Sequence, residues 1–459
     1  MRESKPRLRD VFRVLFVYDE EARVDLFALF PRLKNFFLNR RHFALIRSFG
    51  DVCFTILILL GLFGPQDPSQ NAMLFVSWGI WWTSVVLSWF FLARMWCAFC
   101  PFPGAGRLVQ KLGLYRRRLP PRWLGQYCTY ISTVLFALII WAEAVTHMKT
   151  WPLATAILLL FILGGATFCA VLFRGQAWCR FFCPMGKITG SAATMAIIEF
   201  RPDLEKCRDC KTFACKRGKN TTPGCPIYLG AYAVRNNLLC FICGHCLPLC
   251  ERDSPRIYLR HPLRELIVNK GRFLTCASII PFLIASQIAR FVQEKTGWYP
   301  HFKQALWDSE ALAFSVILLV CFVIYQIIAR VGTRLFTVYE DELFGKFSPM
   351  VPVLVPLAFT GELIYRSEYF LKNIGGFLPT LGRQLGFSWD HLAFDVPELL
   401  IKRWICLLLF LGTAGSLYVA YIFYRYEFEG LVPRKNFLLI LGLVFLTTGA
   451  YCYFLKAGG

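Results

Sequence analysis

Nine stretches of this chain hold enough consecutive apolar residues to cross a lipid bilayer: Leu45–Gly64, Ala72–Met95, Tyr127–Thr146, Leu153–Phe173, Phe273–Phe291, Ala311–Val331, Met350–Tyr365, Ile405–Tyr424 and Phe437–Leu455. About 20 residues of helix match the thickness of the hydrocarbon layer. In that medium a helix is the one single-segment structure that satisfies its own backbone. The expected fold is therefore mainly α, a polytopic α-helical membrane protein of about nine spans. Met350–Tyr365 is the weakest candidate, because it is short and its Pro352 and Pro356 predict a broken or re-entrant helix. Without it the count is eight.

The residues before Ala44 are rich in Arg and aromatics and contain no small-residue cleavage site, so they do not read as a signal peptide. Asp10–Phe43 mixes Phe, Leu and Val with Arg and acids, which predicts a cytoplasmic amphipathic segment lying on the membrane surface. An unstructured basic tail is the alternative.

The balance of 51 Lys+Arg against 29 Asp+Glu raises the question of nucleic acid. The basic residues, however, cluster beside the apolar runs, where orientation signals and anionic headgroups call for them. The expected surroundings are therefore lipid, with no nucleic-acid partner. The connection Arg94–Arg122 carries Arg107, Lys111, Arg116, Arg117, Arg118 and Arg122 and no acid, whereas Pro65–Asn71 and His147–Trp151 together carry one basic residue, Lys149. By the positive-inside rule the N-terminus and the connections 94–126 and 174–272 face the cytoplasm. Arg366, Lys372, Arg383, Lys402 and Arg403 fall on the nominal outside, so the second half is less clearly oriented.

From Glu199 to Glu265 the apolar runs stop, and Pro, Gly, Cys and charge take over. The domain plan is thus 1–43 amphipathic segment, 44–198 four-helix membrane domain, 199–265 soluble insert, and 266–459 C-terminal membrane domain of four or five spans. An insert this short makes a poor hydrophobic core on its own. Metal sites would supply what its core lacks.

Eight of the 19 cysteines lie in the insert: Cys207, Cys210, Cys215 and Cys225, then Cys240, Cys243, Cys246 and Cys250. The second set spells C-x-x-C-x-x-C-x-x-x-C, the bacterial ferredoxin run, in which three thiolates hold three irons of one cubane and the fourth crosses to the other cluster. Gly244 gives that loop room for a close backbone approach. Crossed ligation would put Cys207, Cys210, Cys215 and Cys250 on one [4Fe–4S] cluster, and Cys240, Cys243, Cys246 and Cys225 on the other. Cys225-Pro226 favours crossing, since it supplies the prolyl-flanked ligand that the second run, continuing with Glu251, lacks. Disulfides are disfavoured on a reducing side. Zinc prefers C-x-x-C pairs held apart by a longer spacer, and stands as the alternative for one of the two sites.

Two further pairs flank membrane spans. Trp96-Cys97-Ala98-Phe99-Cys100-Pro101 closes the second, and Trp178-Cys179-Arg180-Phe181-Phe182-Cys183-Pro184-Met185-Gly186 follows the fourth. Both begin Trp-Cys, end Cys-Pro and sit on the predicted cytoplasmic side. The repetition suggests that Cys97, Cys100, Cys179 and Cys183 meet there, as a further metal centre, a dithiol relay or a packing contact. Cys53, Cys128, Cys169, Cys276, Cys321, Cys406 and Cys452 lie singly in spans and read as small hydrophobes. Glu143 and His147, four apart on one expected helix face, and Glu362 are ionisable groups inside or at the end of spans, and so candidates for a proton path. Snorkelling to the interface is the alternative. His245 reads as a solvated neighbour of its cluster rather than a ligand.

With the Cys-Pro pairs and the eight-cysteine insert in hand, the stretch Phe49–His261 resembles the polyferredoxin-type membrane quinol dehydrogenases, the NapH- and NosR-like proteins. The family's membrane pairs are C-x-x-x-C-P; the first pair here is one residue shorter, and the spans after Gly271 have no counterpart in that pattern. The resemblance implies a bacterial inner-membrane protein with a ferredoxin-like domain, carrying electrons between quinone and a partner redox protein through two [4Fe–4S] clusters. An accessory protein that reduces or handles copper through the membrane cysteines is the alternative. A transporter with a redox-sensing insert is the third reading, and it needs 349–365 to line a substrate site.

Overall fold

The structure, a computed structural model, describes residues 7–116, 118–219, 222–268, 274–335, 339–341, 345–347, 350–427 and 434–456. Phe273, where the fifth candidate span begins, and Arg117 of the basic connection lie outside them, as does the side chain of Cys276.

Apolar runs with no i→i+2 alternation fold as helices, and the described chain is mainly α. In order its principal elements are α1 (Leu8–Phe16), β1 (Val24–Asp25), α2 (Leu26–Leu29), α3 (Pro31–Leu38), α4 (Arg40–Phe63), α5 (Ala72–Leu92, with wider π-helical turns over Phe75–Trp81), α6 (Arg122–Val145), α7 (Pro152–Leu172), α8 (Pro184–Ala192), β2 (Ile198–Pro202), β3 (Pro255–Leu259), α9 (Leu274–Lys295), α10 (Glu310–Leu335), α11 (Met350–Asn373), α12 (Glu398–Glu427) and α13 (Arg434–Lys456). Among the described residues, seven stretches are long and apolar enough to cross a membrane: Arg40–Phe63, Ala72–Leu92, Arg122–Val145, Pro152–Leu172, Glu310–Ile328, Glu398–Arg425 and Phe437–Lys456. Each coincides with one of the nine expected runs. The other two fall on α9 and α11, and α11 carries Glu362, Arg366 and Glu368.

The chain divides into two compact units, residues 1–58, 87–132 and 157–268 in one, and 59–86, 133–156 and 269–459 in the other. The expected four-helix domain 44–198 is thus shared between them.

In the first unit, β3 is the central strand, with β1 and β2 antiparallel on either side. The register pairs Val24 and Ile198 with Leu259, and Phe200 with Ile257. The N-terminal segment does not lie apart as an amphipathic surface segment. Val14, Val24, Phe27, Phe37 and Phe43 are buried in one core with Phe200, Ile242, Leu247, Ile257 and Leu259. The physical reason is area, since a 65-residue insert cannot bury enough apolar surface alone. Leu8, Phe12 and Phe16 of α1 still point outward.

That core ends in a buried ionic knot. Glu199 of β2 lies 3.0 Å from Arg201, 3.3 Å from Arg23, 3.4 Å from Arg260 and 3.5 Å from Arg264. Glu265 takes Arg201 at 3.2 Å, Arg260, and the backbone amide of Asn237 at 2.6 Å.

In the second unit α9 and α11 are largely enclosed, with Leu283, Ile284, Phe291, Val353, Leu357 and Phe359 buried. The expected break in Met350–Tyr365 is absent: α11 runs unbroken from Met350 to Asn373 with Pro356 inside it. One amide freed there, that of Leu357, donates to Ser416 Oγ of α12 at 3.2 Å. A neighbouring helix thus meets the backbone that proline disturbs.

Candidate redox site of three cysteine groups

The insert's cysteines sit in turns and one-turn helices, where the chain can aim several sulfurs inward. Cys225, Cys240, Cys243 and Cys246 line one small cavity together with Pro226, Gly244 and His245. Cys225 is thus grouped with the second run, fifteen or more residues further along the chain. Cys215 lies within electrostatic reach of Cys250 and Cys210, which joins the last cysteine of the second run to the first. Cys207 stands beside Ser254 Oγ at 3.2 Å, and the Ser254 amide donates to Cys250 Sγ at 3.4 Å. Cys246 feels Cys243, Cys240, Cys225 and also Cys215, so the two groups adjoin.

Local backbone serves the sulfurs. Ile242 N–H donates to Cys240 Sγ at 3.4 Å. Four non-glycine residues of the insert take left-handed backbone, Phe213, Tyr228, Ile242 and Asp253. Each follows a cysteine by two or three residues, a turn that swings amides back towards the preceding sulfur. Gly244 is also left-handed, at φ +68°, and a Cβ there would lie 2.5 Å from the Phe37 ring.

Electrostatics differ from thiol to thiol. Burial, followed by the neighbouring thiols, pushes Cys240 up to about 12. Burial and Cys225 push Cys243 up to about 11, and Cys246 is raised well above the usual thiol value by burial and the same neighbours. Cys210 goes the other way, its thiolate favoured chiefly by the Phe213 amide. Four enclosed thiols become thiolates only beside a cation that outweighs the cost of burial. Among the described residues no three of His, Cys, Asp and Glu are close enough to grip a single metal ion. A cubane asks for a different arrangement, with four sulfurs around a cage of four irons, and an all-cysteine donor set with amide-to-sulfur bonds fits it.

The two membrane pairs meet. Cys97, Cys100, Cys179 and Cys183 are mutually within electrostatic reach. Burial, then Cys97, pushes Cys183 up to about 11, against the Gly186 amide that donates to its sulfur at 3.3 Å. Cys97 and Cys179 also pack in one apolar cluster with Cys225 and Cys243, around Ala98, Ile227 and Phe241.

Sequence reasoning missed the arginines that stitch these groups together. Arg94, buried after the close of α5, donates to the Cys179 carbonyl at 3.2 Å and to the Leu238 carbonyl, and lies 5.0 Å over the Phe241 ring. Its place before Trp96-Cys97 was the available signal. Arg47 donates to the Ala98 carbonyl at 2.7 Å and contacts His245 Nε2 at 3.0 Å. Arg40 reaches the His245 carbonyl at 2.9 Å. Because arginine only donates, His245 Nε2 accepts. His245 is therefore not a solvated neighbour: burial first, then Arg47 and Arg40, hold it neutral, at about 3.

The second unit holds the ionisable groups. Arg366 of α11 binds both expected carboxylates: Glu143 through two nitrogens at 3.0 and 3.2 Å, and Glu362 at 2.9 Å. Arg290 takes the other Glu362 oxygen at 2.6 Å. Lys149 lies 3.9 Å from Glu143 and 2.8 Å from Glu294. Glu143 and Glu362 are buried, not snorkelling. His147 does not join them. Helix α6 ends at Val145, and His147 takes left-handed backbone and is exposed, so it shares no helix face with Glu143.

No family model and no solved structure matches the chain. It is similar to the putative electron transport protein YccM of Escherichia coli (strain K12), 26% identical over 215 residues, which are 42% of this chain and 58% of that protein. It is also similar to an uncharacterized protein of Methanocaldococcus jannaschii, 26% identical over 178 residues, 37% of this chain and 66% of that one. The matched part thus spans less than two thirds of each relative, a distant likeness to a protein described as an electron carrier.

Proposed function

We propose that this protein carries electrons at a membrane, linking the quinone pool to a partner redox protein through two [4Fe–4S] clusters with crossed ligands. The observation that carries the reading is that Cys225 lines one cavity with Cys240, Cys243 and Cys246, while Cys215 neighbours Cys210 and Cys250. Two four-cysteine groups, each drawn from both runs, are what two adjoining cubanes require. The likeness to YccM supports electron transport as the general role. Cys97, Cys100, Cys179 and Cys183 extend the series as a third redox centre, of which Cys97 and Cys179 pack against the same apolar cluster as Cys225 and Cys243.

The insert, on the cytoplasmic side, carries twelve Lys+Arg against seven acids over Glu199–Glu265. That balance favours an acidic soluble partner, with exchange that slows as salt rises. Copper handling is the second reading, because four enclosed soft ligands suit Cu(I). The transporter reading loses the broken helix on which it rested.

Anaerobic purification with iron and sulfide quantitation and EPR during redox titration tests the assignment. The expected content is at least about eight iron and eight sulfide per chain for two cubanes. Cys225→Ser should abolish the signal that it shares with Cys240→Ser and leave the signal of Cys210→Ser and Cys250→Ser. Iron-free or zinc-only material would end the redox reading. Replacing Cys97, Cys100, Cys179 and Cys183 by Ser decides between a redox centre and copper handling, by loss of a third EPR signal or of bound copper.

A further inference from the structure

We infer that a quinone or hydroquinone ring binds in a second cavity of the first unit, at the cytoplasmic ends of α6 and α7; the inference rests on the electron-transfer reading above and places its lipid-soluble substrate. The cavity measures about 410 Å3, within the range of small-molecule sites. Its walls come from three places: Leu119 and Pro120 just before α6, residues such as Ala177 and Phe181 after α7, and Ile227–Leu229 with Ala233 in the insert. The ends of two apolar helices border the cavity, which suits a lipid-soluble ligand.

The lining has the chemistry of a ring that is apolar in its plane and electron-rich at its oxygens. Phe181, Tyr228 and Tyr232 supply aromatic surface, Arg174, Arg180 and Lys216 supply cations, and no carboxylate is among the lining residues. Lys216 Nζ sits 5.1 Å over the Tyr228 ring, and Arg180 sits 5.1 Å over the Phe181 ring. Arg180 is fixed by the carbonyls of Ile227 at 3.0 Å and Tyr228 at 3.3 Å. Tyr228 holds a φ of 56°, and strain of that kind persists only where the surrounding structure imposes it.

Position ties the cavity to the sulfurs. Ile227 and Leu229 line both this cavity and the one shared by Cys225, Cys240, Cys243 and Cys246. Arg180 is the chain neighbour of Cys179. A bound ring is therefore one layer of side chains from two of the three thiol groups.

The step balances without further reagents. Oxidation of a hydroquinone breaks two O–H bonds, turns two C–O bonds into C=O, and releases two protons and two electrons. The protons leave to water at the cavity mouth. The two electrons would pass singly to oxidised cubanes held by the two four-cysteine groups, with the partner redox protein as the final oxidant. As the first proton departs, the ring oxygen becomes anionic, and Lys216 and Arg180 stabilise it. The reverse course reduces a quinone by the same accounting.

The test uses the full chain, purified anaerobically in lipid nanodiscs. A short-tailed azido-naphthoquinone serves as photoprobe, and a short-tailed naphthohydroquinone as reductant. The probe should label the peptide containing Tyr228–Ala233. Ala233→Trp, which fills the cavity from its exposed rim, should lower labelling and hydroquinone-driven cluster bleaching about tenfold. Dithionite bleaching and iron content should stay as in the parent. Lys216→Gln, a milder change, should slow hydroquinone bleaching while dithionite bleaching holds. Labelling elsewhere, or Ala233→Trp with parental labelling and rate, overturns the inference. If the parent holds no iron, the labelling arm alone decides, so failure of the cluster reading and failure of this cavity remain distinguishable.

Discussion

Replacing Glu199 by Gln probes the ionic knot beneath the sheet. The Glu199 side chain is fully enclosed and stands within 3.5 Å of four guanidiniums, Arg201, Arg23, Arg260 and Arg264. With Glu265 the knot has two carboxylates for four arginines, and the substitution leaves one for four. The amide keeps the shape but turns an NH2 towards groups that themselves donate. Removing one partner of a buried ionic group costs about 3–5 kcal/mol. At about 1.4 kcal/mol per tenfold, the folded-to-unfolded ratio falls by roughly a hundred to several thousand.

With a urea slope of about 2 kcal/mol per molar, the midpoint should drop by about 2 M, read by pulse proteolysis of the full chain in mild detergent. Burial works to raise the pKa of Glu199, but Arg201, Arg260, Arg23 and Arg264 outweigh it and hold the carboxyl below its usual value of 4.5. A depressed carboxyl contributes stability above its unfolded pKa and loses it as pH falls through the folded one. The parent midpoint should therefore decline below about pH 4.5, and the Gln variant should lack that decline. A midpoint within about 0.3 M of the parent would refute the reasoning, by showing the charge already neutralised by solvent.

Arg366→Met strands Glu143 and half of Glu362 inside the second unit and should cost about 3–5 kcal/mol in detergent unfolding; adding Glu143→Gln should recover part of that, because a charge pair removed whole is tolerated better than one broken. Gly244→Ala places a Cβ 2.5 Å from the Phe37 ring at a φ of +68° and should lower iron retention on gel filtration, with Phe37→Leu relieving the contact but not the backbone strain of about 1–3 kcal/mol.

Membrane spans were legible because hydrophobicity along one helix is a local property. Two of the runs hold charge and proline that local hydropathy does not account for. Helices α9 and α11 are enclosed by other helices, so Arg290, Glu362 and Arg366 meet partners from elsewhere in the chain, and Pro356 is relieved by a serine 60 positions later. Cysteine spacing is local to each run, and it does not show that Cys225 lines one cavity with Cys240, Cys243 and Cys246. What spacing could not show is the clamp of Arg40, Arg47 and Arg94, whose targets are carbonyls and a histidine 50 to 200 residues away. His147 failed at a helix end, where one left-handed residue undoes an i,i+4 pairing.

The pairing of Val24–Asp25 with Tyr258–Leu259 also sets a schedule for biogenesis. The first strand leaves the ribosome more than 200 residues before the one it must join, and four candidate membrane helices are made in between. The cysteine-bearing part cannot close until all of these have been synthesised, so any metal it takes up would be acquired late. A fragment cut at 199–265 would leave Val24, Phe27 and Phe37 behind, and with them one wall of the shell around its sulfurs.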